Sequence, residues 1–152
     1  MTAAVFDCMV FLQAATNDRG PAFACLSLIE AGDVRLYVSP PILAEIRDVL
    51  TRPKIQVKFP HLTPVRVDIL VQKIAAIATV VNDVPDCGVL IRDLGDLPYL
   101  NLAVASKVNY IVTRDKDLLD LMEDASFVST YAPLRIVDPV RFLADTRPKS
   151  TA

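Results

Sequence analysis

Residues 3–6, AAVF, form a short apolar run without alternation, the pattern of a strand buried on both faces. Gly20-Pro21 then opens PAFACLSLIEAG, which reads as a helix with proline in its first turn and Gly32 as its stop. VRLYVS is the next strand. SPPILAEIRDVLTRP follows as a helix with Ser39 as cap, prolines at its first positions and a stripe of Ile42, Ile46, Val49 and Leu50; Pro53 ends it. LTPVRVDILVQKIAAIA repeats the device, with Thr63 as cap, Pro64 next, and Val67, Leu70, Val71, Ile74 and Ile77 on one face. ATVVN is a short strand, and DVPDCGVLIRDLGD is a loop with two turn-forming glycines. LPYLNLAVASK is an amphipathic helix, NYIVT an apolar strand running into RDKD, and LLDLMED a short helix. LRIV and DPVRFLAD close the pattern with a strand and a helix capped by Asp138. Strands alternating with helices predict an α/β fold with a mostly parallel central sheet.

The length of 152 residues is that of one domain, expected over residues 1–145, with 146–152 as a disordered tail. Such a domain buries roughly 70% of its unfolded-chain surface. Sixteen basic against eighteen acidic side chains give a net charge of −2, so any nucleic-acid surface must be a local patch. Cys8, Cys25 and Cys87 are odd in number and lack metal-ligand spacing, which reads as a reduced, cytoplasmic protein. No membrane span is expected, since no apolar window reaches about 18 residues. Asp7 interrupts the only apolar run near the start, which argues against a signal peptide.

An ionised carboxylate costs on the order of several kcal/mol to bury unless it is paired or bound to a metal. Asp7 therefore asks for a partner. In open parallel sheets, ligands bind outside the carboxyl ends of the strands. Asp7 ends the first strand and Asp115 lies just past NYIVT; Asp96 starts the preceding helix, and Glu45 lies early in the helix after the second strand. Four acids from distant segments can thus converge on one sheet edge. Their repulsion would raise some pKa values, and Mg²⁺ or Mn²⁺, which favour oxygen ligands, would compensate it. Each acid also has a plain structural reading. Asp7 can be a hydrogen-bonded strand-end acid, Glu45 a solvated helix residue, Asp96 an N-cap, and Asp115 and Asp117 loop or cap acids.

At these residues the chain resembles a PIN domain, from about residue 3 to residue 143. VFDCMVFL is similar to that family's opening strand and Asp, and VSPPILAEIRDVLTRPKI to the segment carrying its Glu. RDLGDLPYLNLAVASKVNYIVTRDKDLL resembles the stretch with the third acid, a helix, a strand and a Thr-x-Asp-x-Asp ending. RPKIQVKFPHLTPVRV and RIVDPVRFL resemble most the VapC-like branch, the ribonuclease toxins of toxin–antitoxin systems. The resemblance implies a three-layer fold and a metal-dependent ribonuclease using Mg²⁺ or Mn²⁺. It places the acidic quartet, catalytic and metal-holding, at Asp7, Glu45, Asp96 and Asp115. Thr113 would be a supporting or substrate-facing hydroxyl, Asp117 an accessory acid, and Asp93 the competitor of Asp96. It further implies an RNA substrate, a small antitoxin partner and a homodimer. Arg52, Lys54 and Lys58 beside Phe59, and Arg114 and Lys116 beside Asp115, are the candidate RNA-binding cations.

One position departs from the family. Its first Asp is usually followed by Thr-Asn or Ser-Asn, whereas Asp7 precedes Cys8 and Met9, and Met cannot replace an amide's hydrogen bonds. The alternative reading is therefore a catalytically impaired relative that binds RNA or protein. A receiver-like signalling domain lacks support, because FDCM has no acid pair and VTRD puts an acid where that class needs Lys. An Asp-x-Asp phosphatase fails because Met9 stands in its second Asp position.

Overall fold

The computed structural model describes residues 1–91 and 93–146, so the remainder of the expected tail lies outside the described residues. Among these, five strands pair in parallel: β1 (Thr2–Phe6), β2 (Val34–Val38), β3 (Thr79–Val80), β4 (Tyr110–Val112) and β5 (Arg135–Val137). Their order is β3-β2-β1-β4-β5. β1 is central, with Ala3 opposite Arg35 on one side and Val5 opposite Ile111 on the other. Its Ala4, Val5 and Phe6 are fully buried, which is why AAVF lacks alternation.

The helices are α1 (Cys8–Thr16), α2 (Pro21–Glu30), α3 (Pro40–Leu50), α4 (Pro53–Lys58), α5 (Pro64–Ile77), α6 (Leu97–Ser106), α7 (Lys116–Leu119), α8 (Ala125–Tyr131) and α9 (Pro139–Thr146). α6 packs across β1, β2 and β4, while α2 and α9 pack on each other against β2 and β4, giving three layers. Phe142 on α9 joins the layers, meeting Phe6 edge-on at 5.9 Å and Tyr110 at 5.2 Å between ring centres. The predicted stripes face this core: Ile42, Ile46 and Leu50 are fully buried on α3, as are Val67 and Ile74 on α5. Gly32 ends α2 as expected, at φ +81°, where an L side chain would be strained.

Three helices escape the hydrophobic pattern. α1 begins immediately after Asp7 and buries Cys8, Val10, Phe11, Leu12 and Ala14, so no regular polar face marks its period. Pro53, expected to end a helix, instead occupies the first turn of α4, where its missing N–H costs nothing. α8 rests on Asp124, which accepts from the Ser126 and Phe127 amides. Instead of one helix over LLDLMED, α7 passes into a 3₁₀ turn over Asp120–Glu123. Ser39 holds the N-cap position of α3 without a capping bond, because Pro40 and Pro41 remove the donors nearest to it. Thr63 does cap α5, accepting from Arg66 N at 3.3 Å.

The chain leaves β1 towards β2 on one side and returns to β4 on the other. That reversal opens a crevice at the carboxyl ends of β1 and β4.

Candidate active site

Asp7 links β1 to α1 and is 7% exposed. Its Oδ1 accepts from Val10 N at 3.1 Å, capping the helix, while its Oδ2 accepts from the Thr113 hydroxyl. Thr113 is fully buried at the end of β4, and its oxygen also accepts from Asp115 N at 3.0 Å. One hydroxyl thus ties Asp7 to the segment carrying Asp115, and it is buried rather than part of the cavity lining. Burial pushes the Asp7 carboxyl above the usual carboxylate range; the Thr113 and Val10 bonds oppose this, and the Asp115 charge adds to it.

Asp115 caps α7, its Oδ1 accepting from Asp117 N at 2.8 Å. Asp93 caps the 3₁₀ turn Leu94–Asp96 by accepting from Gly95 N at 2.9 Å. Asp96 stands at the N-cap position of α6 but makes no side-chain capping bond. Its carboxyl is pushed up to about 6, first by burial and then by the charges of Asp115, Asp93, Asp117 and Asp7. The two competitors therefore differ: Asp93 is engaged by its own turn, and Asp96 is left facing other carboxylates.

Glu45 reaches the same place from α3 and accepts from the Tyr99 hydroxyl at 3.0 Å. In the sequence Tyr99 is only one residue of the helix LPYLNLAVASK, with no role assigned to it. Its spacing from Asp96, three residues along one helix, is the signal that puts both on one face. Asp7, Cys8, Met9, Gln13, Glu45, Asp93, Asp96, Tyr99, Arg114 and Asp115 are among the residues lining one cavity of about 460 Å³. Burial pushes the Cys8 thiol up to about 12, with the Glu45 and Asp7 charges adding, so it stays protonated beside the acids. Met9 is 40% exposed on the cavity wall.

The remaining expected residues lie elsewhere or on the rim. Arg114 lines the cavity; Lys116 pairs with Asp120 at 3.0 Å on the exposed side of α7. Arg52 pairs with Asp48 at 2.9 Å, and Lys54 is exposed on α4. Lys58 lies over the Phe59 ring and, with Phe59, His61, Arg66 and Lys73, lines a separate cleft of about 560 Å³. Arg52, Lys54 and Lys58 thus all stand away from the acidic cavity. Among the described residues, no helix is long and apolar enough to cross a membrane.

The acidic donor set consists of carboxylate oxygens, apart from a protonated thiol, and its mutual repulsion is what a divalent cation relieves. As placed, no group of three His, Cys, Asp or Glu side chains among the described residues stands close enough together to hold a metal ion. Mg²⁺ ordinarily keeps several waters and takes only one or two carboxylates directly, so the set fits a hydrated ion.

Comparison with known proteins gives this arrangement a context. The chain is 28% identical over 142 residues to uncharacterized protein MJ1680 of Methanocaldococcus jannaschii, covering 93% of this chain and 89% of that protein. Its fold is similar to a chain in the crystal structure of VapBC2 from Rickettsia felis bound to a DNA fragment from their promoter. The TM-score is 0.57 at 12% identity, over 90% of this chain and 98% of that one. The PIN domain family model matches residues 3–117, a span that contains all four acids. The chain belongs to the PIN domain family.

Proposed function

We propose that this protein is a metal-dependent ribonuclease that hydrolyses RNA phosphodiester bonds, the toxin component of a toxin–antitoxin pair. The observation that carries the reading is the convergence of Asp7, Glu45, Asp96 and Asp115 on one cavity, where neighbouring charge helps push Asp96 up to about 6. Asp7, Asp96 and Asp115 would hold the ion directly or through water, and Glu45 would assist a second ion or orient the water. Mg²⁺ or Mn²⁺ supplies, when bound, an activated water and charge neutralisation at the phosphodiester. Thr113 keeps Asp7 aimed. Arg114 on the rim meets a phosphate, with Lys116, Arg52, Lys54 and Lys58 as contacts further along the strand. Asp117 and Asp93 are accessory acids that add negative potential at Asp96. The fold likeness to a chain of the VapBC2 complex supports an antitoxin as partner; the homodimer is proposed from the family resemblance alone.

Met9 favours a second reading. It presents an exposed thioether, with no strong donor, to the cavity. A relative that binds RNA or protein without cleaving it would follow. The discriminating experiment is cleavage of labelled single-stranded RNA with Mn²⁺, Mg²⁺ or EDTA, comparing wild type with Asp96→Asn. Metal-dependent cleavage that drops at least about 100-fold in the variant, a loss of ~2.7 kcal/mol in transition-state stabilisation, supports the nuclease. Folded wild type that leaves every RNA intact supports the second reading, with Met9→Asn as the restoring change to try.

A further inference from the structure

We propose that Tyr99 is a positioning residue that holds Glu45 at the wall of the acidic cavity; this rests on the nuclease reading above. The four acids are not held alike. Asp7 receives Val10 N and Thr113, and Asp115 receives its own helix amide, so backbone geometry fixes both. Glu45 sits in the interior of α3, where backbone amides are committed to the helix. Its strong hydrogen-bond donor is the Tyr99 hydroxyl, 3.0 Å from Oε1 and 54 positions away in sequence; the Cys8 thiol beside it is the weaker kind of donor. No ion pair among the described residues includes Glu45.

Tyr99 is built for this task. The residue is 3% exposed, so its ring cannot swing into solvent, and a two-torsion side chain with a packed ring presents its hydroxyl at one place. α6 carries Asp96 at its N-terminus and Tyr99 one turn on, so a single helix delivers a carboxylate and the donor that sets another carboxylate. Burial, then the Cys8 and Glu45 groups, push the phenol's ionisation upward, so the hydroxyl remains a donor. The acid brought by α3 thereby depends on α6 for its pose, and a long, unbranched side chain that would otherwise sample several rotamers is confined. Partners of this kind, behind a metal-facing carboxylate, typically change metal affinity or activity about 10- to 100-fold when removed.

The test is Tyr99→Phe, which keeps the ring and removes only the oxygen. Three measurements are made on wild type, Tyr99→Phe, Glu45→Gln and the double variant: Mn²⁺ binding by calorimetry, RNA cleavage, and the side-chain NMR signals of residue 45 in metal-free protein. Tyr99→Phe is expected to weaken Mn²⁺ binding and slow cleavage by about 10-fold or more. It should also release Glu45 into rotamer averaging, while having no further effect once Glu45 is Gln. Unchanged Glu45 order, or a loss of equal size in the Glu45→Gln background, overturns the proposal. If wild type binds Mn²⁺ without cleaving RNA, yet Tyr99→Phe frees Glu45 and weakens binding, positioning stands and the nuclease reading falls.

Discussion

The acidic cavity and the basic cleft beside α4 and α5 are of similar volume, about 460 and 560 Å³, and of opposite character. The first is assembled from strand ends and helix starts, where backbone amides and buried hydroxyls hold three of the four acids: Val10 N and Thr113 on Asp7, Asp117 N on Asp115, Tyr99 on Glu45. The second is lined by Lys58, Arg66 and Lys73, cations on exposed helical surface, of which Lys73 is already paired with Glu30 at 2.6 Å. Carboxylates gathered by a frame into a shared cavity lose water and feel one another's charge, and the Asp96 carboxyl is raised first by burial and then by its acidic neighbours. Charges on flexible, solvated stems do not perturb one another so, since water and rotamer freedom dilute their mutual effect. What separates a candidate site from a charged surface is therefore the frame, not the count of charges.

The comparison breaks most sharply at Thr113. Thr113→Val preserves shape but leaves Asp7 Oδ2 and Asp115 N without their partner. The variant should lose about 1–3 kcal/mol at pH 7, the typical cost of an unsatisfied buried group, measured by urea unfolding of metal-free protein. The Thr113 bond favours the charged form of Asp7, so the loss should shrink as pH falls through the raised pKa of that carboxyl.

Asp96 gives a smaller effect of opposite sign. Its folded pKa of about 6 lies above the ordinary Asp value of roughly 3.9. The native state therefore binds more protons between those values, and wild-type stability falls as pH rises from about 4 to about 6 and is flat beyond. Asp96→Asn removes that penalty. Metal-free variant should be more stable than wild type above pH 6, and equal to it below pH 4. The gain is about 1 kcal/mol: an unscreened carboxyl displaced this far would give about 3 kcal/mol, and solvent around a partly exposed group reduces it. Saturating Mn²⁺ should reverse the ranking by stabilising wild type alone.

The smallest effect belongs to the basic cleft. Lys58→Ala should change stability by less than about 0.5 kcal/mol, as exposed side chains usually do. If Lys58 meets an RNA phosphate, the variant lowers the log–log salt slope of RNA binding by about 0.7. An unchanged slope assigns Lys58 to solvent and its contact with Phe59.

The hydrophobic pattern was sufficient for the sheet and for α3, α5 and α6, because burying a stripe against a sheet imposes a period that a sequence displays. It failed for α1, whose apolar residues run nearly all round, and for Pro53, since proline is equally compatible with a helix's first turn and with the end of the helix before it. The acids Asp7, Glu45, Asp96 and Asp115 could be named from order and spacing, since parallel topology sends strand ends to one edge. Spacing alone could not choose between Asp93 and Asp96. Asp96 is preferred in the sequence because it starts the helix; the structure adds that Asp93 accepts Gly95 N whereas Asp96 accepts no capping amide. Spacing could not reveal that Thr113 serves two acids, or that Tyr99 meets Glu45. The Thr113–Asp7 and Tyr99–Glu45 contacts span 106 and 54 positions, and only the packing of α6 and β4 against β1 brings them within a hydrogen bond. The sequence by itself determined which residue types would be available at the sheet's edge. The tertiary structure decided which oxygen each of them faces, because a hydrogen bond is set by distances that no linear spacing encodes.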